Sequence, residues 1–262
     1  DPPKFGQVQI SIKPKNGTYV SDFDKTQIKN KLKNYAIAGI NAEIVDLKIL
    51  YVELNSTIYY NPAQVASSSN LRTAIISSLD SYANNVEINK FGGRFKYSKL
   101  NTLIDRVDNG ITSNITKVII RRDLKALLDQ FAQYELCFGN RFNINPAGFN
   151  IKSTGFTVSG SNETAFLTDV PNKDASGNLD GSMKGTLSVV FKNQRDKQQV
   201  LIKDAGIVDY KKGEIILNTI NITSTATQNN IIEVQAFPES NDVVGLKDLY
   251  LSFDVSKSTI NM

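Results

Sequence analysis

The spacing of apolar residues changes near Leu124, and this change limits what the chain can fold into more than any other feature. Before it, alternating apolar residues over 7–13 and 43–60 predict strands, whereas a helical period over 21–37 and 71–82 predicts helices. After it, the chain is rich in Asn, Ser, Thr and Gly and carries strand patterns with turns between them. The two halves therefore predict different kinds of structure.

These patterns predict an α+β fold in two domains. Residues 1–124 are expected to form a small mixed sheet with helices on one face, because strand and helix patterns alternate there. Residues 125–262 are expected to form a β-rich, sandwich-like domain. Its best-marked element is a hairpin, in which a Lys-Lys-Gly turn at 211–213 separates strand patterns at 206–210 and 214–217.

The chain has 262 residues, no histidine and one cysteine, and these counts exclude several kinds of active site. Without histidine, Ser-His and Cys-His nucleophile pairs and histidine-containing zinc sites cannot form. Cys137 lies in an apolar strand pattern, which favours a structural thiol over a catalytic one. A single cysteine cannot form an internal disulfide, which is consistent with assembly in a reducing cytoplasm. We therefore predict no catalytic residue, no cofactor and no metal, and a protein that is not an enzyme.

The ligand-binding motifs in the chain do not reach the spacing that their chemistry needs. Gly92 and Gly93 are adjacent, but a phosphate loop requires a longer glycine pattern after a buried strand. Asp169, Asp174 and Asp180 lack the alternate spacing and the terminal Glu of a calcium loop. The polar segment 171–185 is interpreted as an exposed loop.

The net charge of +4 is mildly basic, and part of it lies along one predicted helix. The lysines of this helix are Lys25, Lys29, Lys31 and Lys33. They could meet nucleic acid or an acidic partner, but a solvated face is favoured because two aspartates dilute the charge. The buried side of the same helix is then expected to carry Ile28, Leu32 and Tyr35. We predict no nucleic-acid partner, and no membrane partner because no apolar run approaches about 20 residues.

Residues 44–124 carry a particular order of elements. A long strand pattern and a helical pattern are followed by Gly92-Gly93, a helix start at 97–100 (Tyr-Ser-Lys-Leu), capped by Ser98, and a strand at 116–122. This order resembles the baseplate-J-like family of wedge proteins from contractile-tailed, T-even-like bacteriophages. The hairpin at 207–215, with Asp-Tyr, two residues, Gly and an apolar strand, is similar to one found in those proteins.

The resemblance implies a structural subunit of a phage tail baseplate wedge. Such a subunit pairs with itself within a wedge, joins other wedge proteins, and forms the ring around the hub between wedges. It transmits the conformational change that triggers sheath contraction, and it is a late virion protein assembled in the host cytoplasm. The composition change at 124–130 is the expected hinge. Because residue 1 is Asp and not Met, we expect a C-terminal fragment of a longer polypeptide.

Interfaces of this kind use apolar and aromatic patches. The aromatic candidates are Tyr59, Tyr60, Phe237 and Phe253, although each suits a core position equally. A different function stays open, namely a carbohydrate-binding or adhesin module, because the second half is rich in Asn and Thr. The absence of Trp argues against it, since sugar sites commonly use flat aromatic side chains.

Overall fold

A computed structural model describes residues 6–15, 20–35, 39–84, 87–193, 195 and 197–262. The helices in this part of the chain are α1 (Asp22–Lys33), α2 (Ser68–Ala83) and α3 (Tyr97–Asp105). The strands of the first half are β1 (Gln7–Ser11), β2 (Asn41–Val45), β3 (Ile49–Tyr60), β4 (Arg94–Phe95) and β5 (Ile111–Lys125). The α+β class predicted from the sequence is confirmed.

The second half of the chain is built from strands. In order they are β6 (Phe131–Cys137), β7 (Lys152–Ser153), β8 (Phe156–Val158), β9 (Ala165–Pro171), β10 (Lys184–Lys192), β11 (Gln198–Asp209), β12 (Glu214–Thr225), β13 (Ile231–Ala236), β14 (Val243–Val244), β15 (Tyr250–Phe253) and β16 (Thr259–Asn261). No helix in the described residues has the length and apolar character that a membrane span requires.

Helices α1 and α3 each begin beside a side-chain hydrogen-bond acceptor. Ser21 Oγ accepts from the Asp24 backbone N–H at 3.1 Å and caps α1. The prediction that Ser98 caps α3 is wrong, because α3 begins one residue earlier, at Tyr97. The Tyr97 N–H donates instead to the Asp242 carboxylate at 2.8 Å, and this acceptor is distant in sequence.

The first sheet has the strand order β15–β3–β5–β13–β7, and β16 continues the edge beyond β15. β15 and β16 run parallel to β3, and the other pairs are antiparallel. On one face, Val52 lies opposite Ile120 and Leu54 opposite Val118, and all four are buried. Helix α2 packs on this face, where the Tyr82 ring contacts the Phe253 ring of β15 edge to face at 6.3 Å.

The strands do not follow the predicted division into residues 1–124 and 125–262. The chain leaves the first sheet at Lys125 and returns to it at Ile231, which lies opposite Lys125 in the adjacent strand. Residues 231–261 thus belong with the first sheet by their pairing. The composition change near Leu124 marks the start of an insertion into the first sheet. The end of the insertion has no comparable signal in the sequence, because strand pairing depends on residues that are distant in sequence.

The inserted strands form a closed barrel instead of the predicted sandwich. Neighbouring strands pair in the order β11–β10–β9–β8–β12, and β12 closes the ring by pairing with β11. This closure is possible because β12 is long: Glu214–Leu217 pairs with β11, and Ile222–Thr225 pairs with β8. The predicted hairpin at 206–217 is confirmed as the β11–β12 connection. Buried side chains of the barrel strands include Val158, Leu167, Leu187, Val189, Val208, Ile215, Leu217 and Ile222.

A buried carboxylate connects three parts of the barrel. Asp169 is fully buried, and its oxygens accept from the Tyr210 hydroxyl at 2.7 Å and from the Ile151 N–H at 2.6 Å. Burial raises the pKa of Tyr210, and the neighbouring Asp169 carboxylate raises it further, so the hydroxyl stays protonated and donates. Gly185 leaves room for this contact, because a Cβ there would lie 2.7 Å from the Tyr210 hydroxyl oxygen.

Asn150 joins the barrel to the segment that follows β13. Its Nδ2 donates to the carbonyls of Asn143 and Phe237 at 2.6 and 3.0 Å, and its Oδ1 accepts from the Phe237 N–H at 2.7 Å. The substitution Asn150→Ala removes the partner of the Asn143 carbonyl and of the Phe237 N–H, whereas the Phe237 carbonyl still accepts from the Asn143 N–H at 2.9 Å. We therefore expect the free energy of unfolding to fall by about 2 kcal/mol. Urea unfolding followed by circular dichroism measures this loss. The exposed Asn178→Ala is the control, and equal losses in both variants would contradict the assignment.

Candidate interaction surfaces

The described residues hold no arrangement that suggests chemistry. No group of three or more His, Cys, Asp or Glu side chains among them is placed to hold a metal ion. Cys137 is half-buried, and burial raises the pKa of its thiol, which keeps it protonated and unreactive. The segment 172–182 is exposed, as predicted, and the Asp174 carboxylate accepts from the backbone N–H groups of Ser176 and Asn178. The candidate functional sites are therefore surfaces that could contact other proteins.

The face of the first sheet opposite the helices carries an ionic group that we name the Arg121 cluster. Its members are Glu53, Arg121, Asp123, Glu233, Asp254 and Lys257. The Arg121 side chain is 4% exposed and pairs with Glu53, Asp123 and Asp254, the last at 2.9 Å. The Tyr51 ring stacks on the guanidinium, with its centroid 4.0 Å away. Lys257 lies 2.8 Å from Glu233 and adds a second cation.

The buried position of the Arg121 cluster shows in its pKa values. Burial raises the pKa of Glu53, and the hydrogen bond from Arg121 only partly offsets this effect. Burial likewise raises the pKa of Asp123. Burial alone would lower the pKa of Arg121, but Asp123 and Glu53 more than offset it and raise the pKa overall. Arg121 therefore stays charged and is needed to keep the carboxylates ionised.

The Arg121 cluster joins the two stretches of chain that form the first sheet. Glu53 and Arg121 come from strands before the barrel, whereas Glu233 and Asp254 come from residues after it. The cluster was not predicted from the sequence. A signal exists, because residues with polar groups occur at every second position of three segments, which predicts a polar face; they are Tyr51 and Glu53, Arg121 and Asp123, and Glu233 and Gln235. The sequence does not say that these three strands are neighbours.

A row of side chains that includes exposed apolar residues crosses the barrel wall. We name it the apolar row, and its members are Val170, Thr186, Ile207 and Ile216. Thr186 lies opposite Val170 on one side and Ile207 on the other, and Ile207 lies opposite Ile216. Val170 is 44% exposed and Ile207 is 53% exposed. The exposed Val170 and Ile207 therefore lie on either side of Thr186, and Ile216 extends the row beyond Ile207. These residues were not predicted from the sequence.

The four aromatic candidates are not brought together. Tyr59 is half exposed, on the sheet face that carries the Arg121 cluster, with exposed Ile115 on the neighbouring strand of the same face. Tyr60 is partly buried against the core, Phe253 is a core residue, and Phe237 is half-buried. Of these four candidates, only Tyr59 is exposed enough to serve as an interface residue.

The basic helix α1 is less amphipathic than predicted. Ile28 and Leu32 are half-buried, but Tyr35 lies beyond the end of the helix and is 86% exposed, so its assignment to the buried side is wrong. The helix has no fully buried residue, because a single short strand pair packs against it. Lys25 is bound by Asp46 at 2.6 Å and by Asp22 at 3.0 Å, which reduces the charge available to an acidic partner.

Comparison with known proteins accounts for the first half of the chain. Residues 1–45 match the family model for baseplate structural protein gp6, C-terminal domain I, and residues 48–123 match the model for C-terminal domain III. Baseplate wedge protein gp6 of Enterobacteria phage T4 is 30% identical over 127 residues, which are 48% of this chain. The matched part is 19% of the T4 protein, so the chain spans about a fifth of that relative. Residues 1–45 and 48–123 are thus similar to C-terminal domains I and III of gp6, a baseplate structural protein and not an enzyme.

Proposed function

We propose that this chain is a structural subunit of a phage tail baseplate wedge and acts through protein–protein contacts. The observation that supports this most directly is the match to gp6 C-terminal domains I and III on adjacent stretches of the chain, which cover β1 through most of β5. The strands of the first sheet are also joined by the ion pairs of the Arg121 cluster. Such ion pairs suit a subunit that must keep its shape under mechanical load.

In the proposed role, the subunit pairs with a second copy, joins other wedge proteins and contributes to the ring around the hub. The chain passes between the first sheet and the barrel at the segments 126–130 and 226–230, and β7 also ties the insert to β13 of the first sheet. A change in angle at these two segments, with release of the short β7–β13 pairing, would transmit the movement that triggers sheath contraction. Asp129 has a left-handed backbone (φ 57°) within the first of them, which is where the sequence predicts a hinge.

Immunogold electron microscopy of contractile-tailed phage particles, with an antibody against this chain, tests the role. We expect label at the tail baseplate. Unlabelled particles, with an antibody shown to recognise the native protein, would overturn the proposal.

The apolar row is our candidate for the pairing surface. Ile207→Lys places a charge at its centre, and we expect the dimer dissociation constant to rise at least about tenfold, since burial of an isoleucine contributes about 1.5–3 kcal/mol. Light scattering coupled to size-exclusion chromatography measures the shift. The control is Val200→Lys, at an equally exposed position of β11 (59%) outside the row. If the control variant dissociates as readily as Ile207→Lys, pairing uses another surface.

A further inference from the structure

A cavity lies beside the start of the first sheet, between α1 and the end of β5. It has a volume of about 780 Å³, and its wall is formed by α1, the residues 45–49, the end of β5 and the segment 229–231. Pockets of this size accommodate ligands much larger than a single ion. The wall combines apolar side chains, including Val45, Leu47 and Ile231, with several charged ones.

The acidic groups of the cavity wall are already neutralised. Asp22 and Asp46 both bind Lys25, at 3.0 and 2.6 Å. Asp123 is paired with Arg121 on the other face of the sheet. None of the three carboxylates is therefore free to balance a further positive charge in the wall.

Three cations of the wall lack an ionic partner. Arg122, Lys48 and Lys125 form no ion pair with any residue in the described part of the chain. Lys48 and Lys125 are exposed, so water solvates them. Arg122 is different, because it is only 7% exposed.

Arg122 is a buried guanidinium with too few acceptors. Its Nη1 donates to the Cys137 carbonyl, and its Nε has no hydrogen-bond partner. A guanidinium has five N–H donors, and a buried charge is costly unless it is paired and hydrogen-bonded. Burial lowers the pKa of Arg122. An oxyanion in the cavity would supply the missing negative charge.

We propose that this cavity binds an acidic peptide segment of a partner protein, with one carboxylate against Arg122 and others near Lys48 and Lys125. The flat guanidinium matches a carboxylate in two parallel hydrogen bonds. The apolar wall then contacts the aliphatic side chains of the same segment. A small inorganic anion has no apolar group that could make these contacts. That the partner is another baseplate protein rests on the proposed function, whereas the binding chemistry does not.

Fluorescence anisotropy with a labelled peptide tests the proposal. The probe is the acidic sequence Leu-Glu-Asp-Leu-Glu-Glu, and the comparison is its amide counterpart Leu-Gln-Asn-Leu-Gln-Gln with the same label. We expect the acidic peptide to bind the whole chain at least about tenfold more tightly than the neutral one. Arg122→Met is expected to remove most of this preference.

Because Arg122 is buried, a second variant keeps the test independent of folding. Lys48→Gln combined with Lys125→Gln changes only exposed side chains, and we expect about tenfold weaker binding of the acidic peptide. The control combines Lys117→Gln with Lys173→Gln, which removes the same charge from exposed positions outside the cavity and is expected to bind like the unmodified chain.

Two results would overturn the proposal. Equal affinity for the acidic and neutral peptides would show that no carboxylate is recognised. Binding of inorganic sulfate without binding of the acidic peptide would assign the cavity to a small oxyanion. Both results are independent of immunogold labelling, so failure of the baseplate role and failure of the peptide site can be distinguished.

Discussion

Replacing Arg121 with methionine is expected to lower the free energy of unfolding by about 3–5 kcal/mol, because it leaves buried carboxylates without their cation. Glu53 is 2% exposed and would keep only its hydrogen bond from Gln235 at 2.7 Å. Urea unfolding at neutral pH measures the loss. Lys117→Met, an exposed position on the same face of β5, is the control, and a loss below about 1 kcal/mol in Arg121→Met would contradict the prediction.

The same variant should respond to pH in a defined direction. The pKa values of Glu53 and Asp123 are raised in the folded protein, so their protonated forms favour the fold and this contribution disappears as the pH rises through the folded pKa. Without Arg121 these pKa values rise further. The loss of stability in Arg121→Met is therefore expected to be smaller near about pH 5 than near about pH 8. Addition of Glu53→Gln should recover part of the loss at the higher pH.

Gly213→Ala is expected to cost about 2–5 kcal/mol, through two effects at one position. Gly213 has a left-handed backbone (φ 67°) in the β11–β12 turn, and a Cβ there would lie 1.9 Å from the Asn140 carbonyl oxygen. That oxygen belongs to the backbone, so a side-chain rotation cannot relieve the clash. The turn would have to move away from the residues that follow β6.

The variant Gly160→Ala separates the cost of the left-handed backbone from the cost of the clash with Asn140. Gly160 has a similar backbone angle (φ 84°), but a Cβ there meets nothing within 4 Å. We expect it to lose only the conformational part, about 1–2 kcal/mol. Thermal unfolding followed by calorimetry compares the two variants. If they lose the same stability, the close approach of Asn140 has no energetic consequence.

The sequence predicts local features well because their causes are local. The apolar period of α2, the turn at 211–213 and the exposed loop at 171–185 each follow from residues within a few positions. The prediction that Ser98 caps α3 was wrong, because Asp242, which is distant in sequence, provides the acceptor at the start of the helix. The prediction that Tyr35 is buried was wrong, because no layer of structure packs against it.

The candidate surfaces could not be predicted, because they depend on which strands are neighbours. Glu53, Arg121 and Glu233 read separately as polar positions of three strands, and only the sheet order makes them one ionic group. The same is true of Val170 and Ile207, which lie on opposite sides of Thr186 in the barrel wall. The resemblance to wedge proteins supplied the structural role, but it named no interface.

The chain enters and leaves the barrel at one place. Lys125 and Ile231 lie side by side in adjacent antiparallel strands, and the Ala126 N–H donates to the Asn230 carbonyl at 2.7 Å. Apart from the two-residue strand β7, which pairs with β13, residues 126–230 thus occupy the position of a hairpin loop in the first sheet. Such a position lets evolution exchange or reshape the insert without changing the order of the strands that hold it. We therefore expect the barrel surface to differ more between related chains than the sheet that bears it.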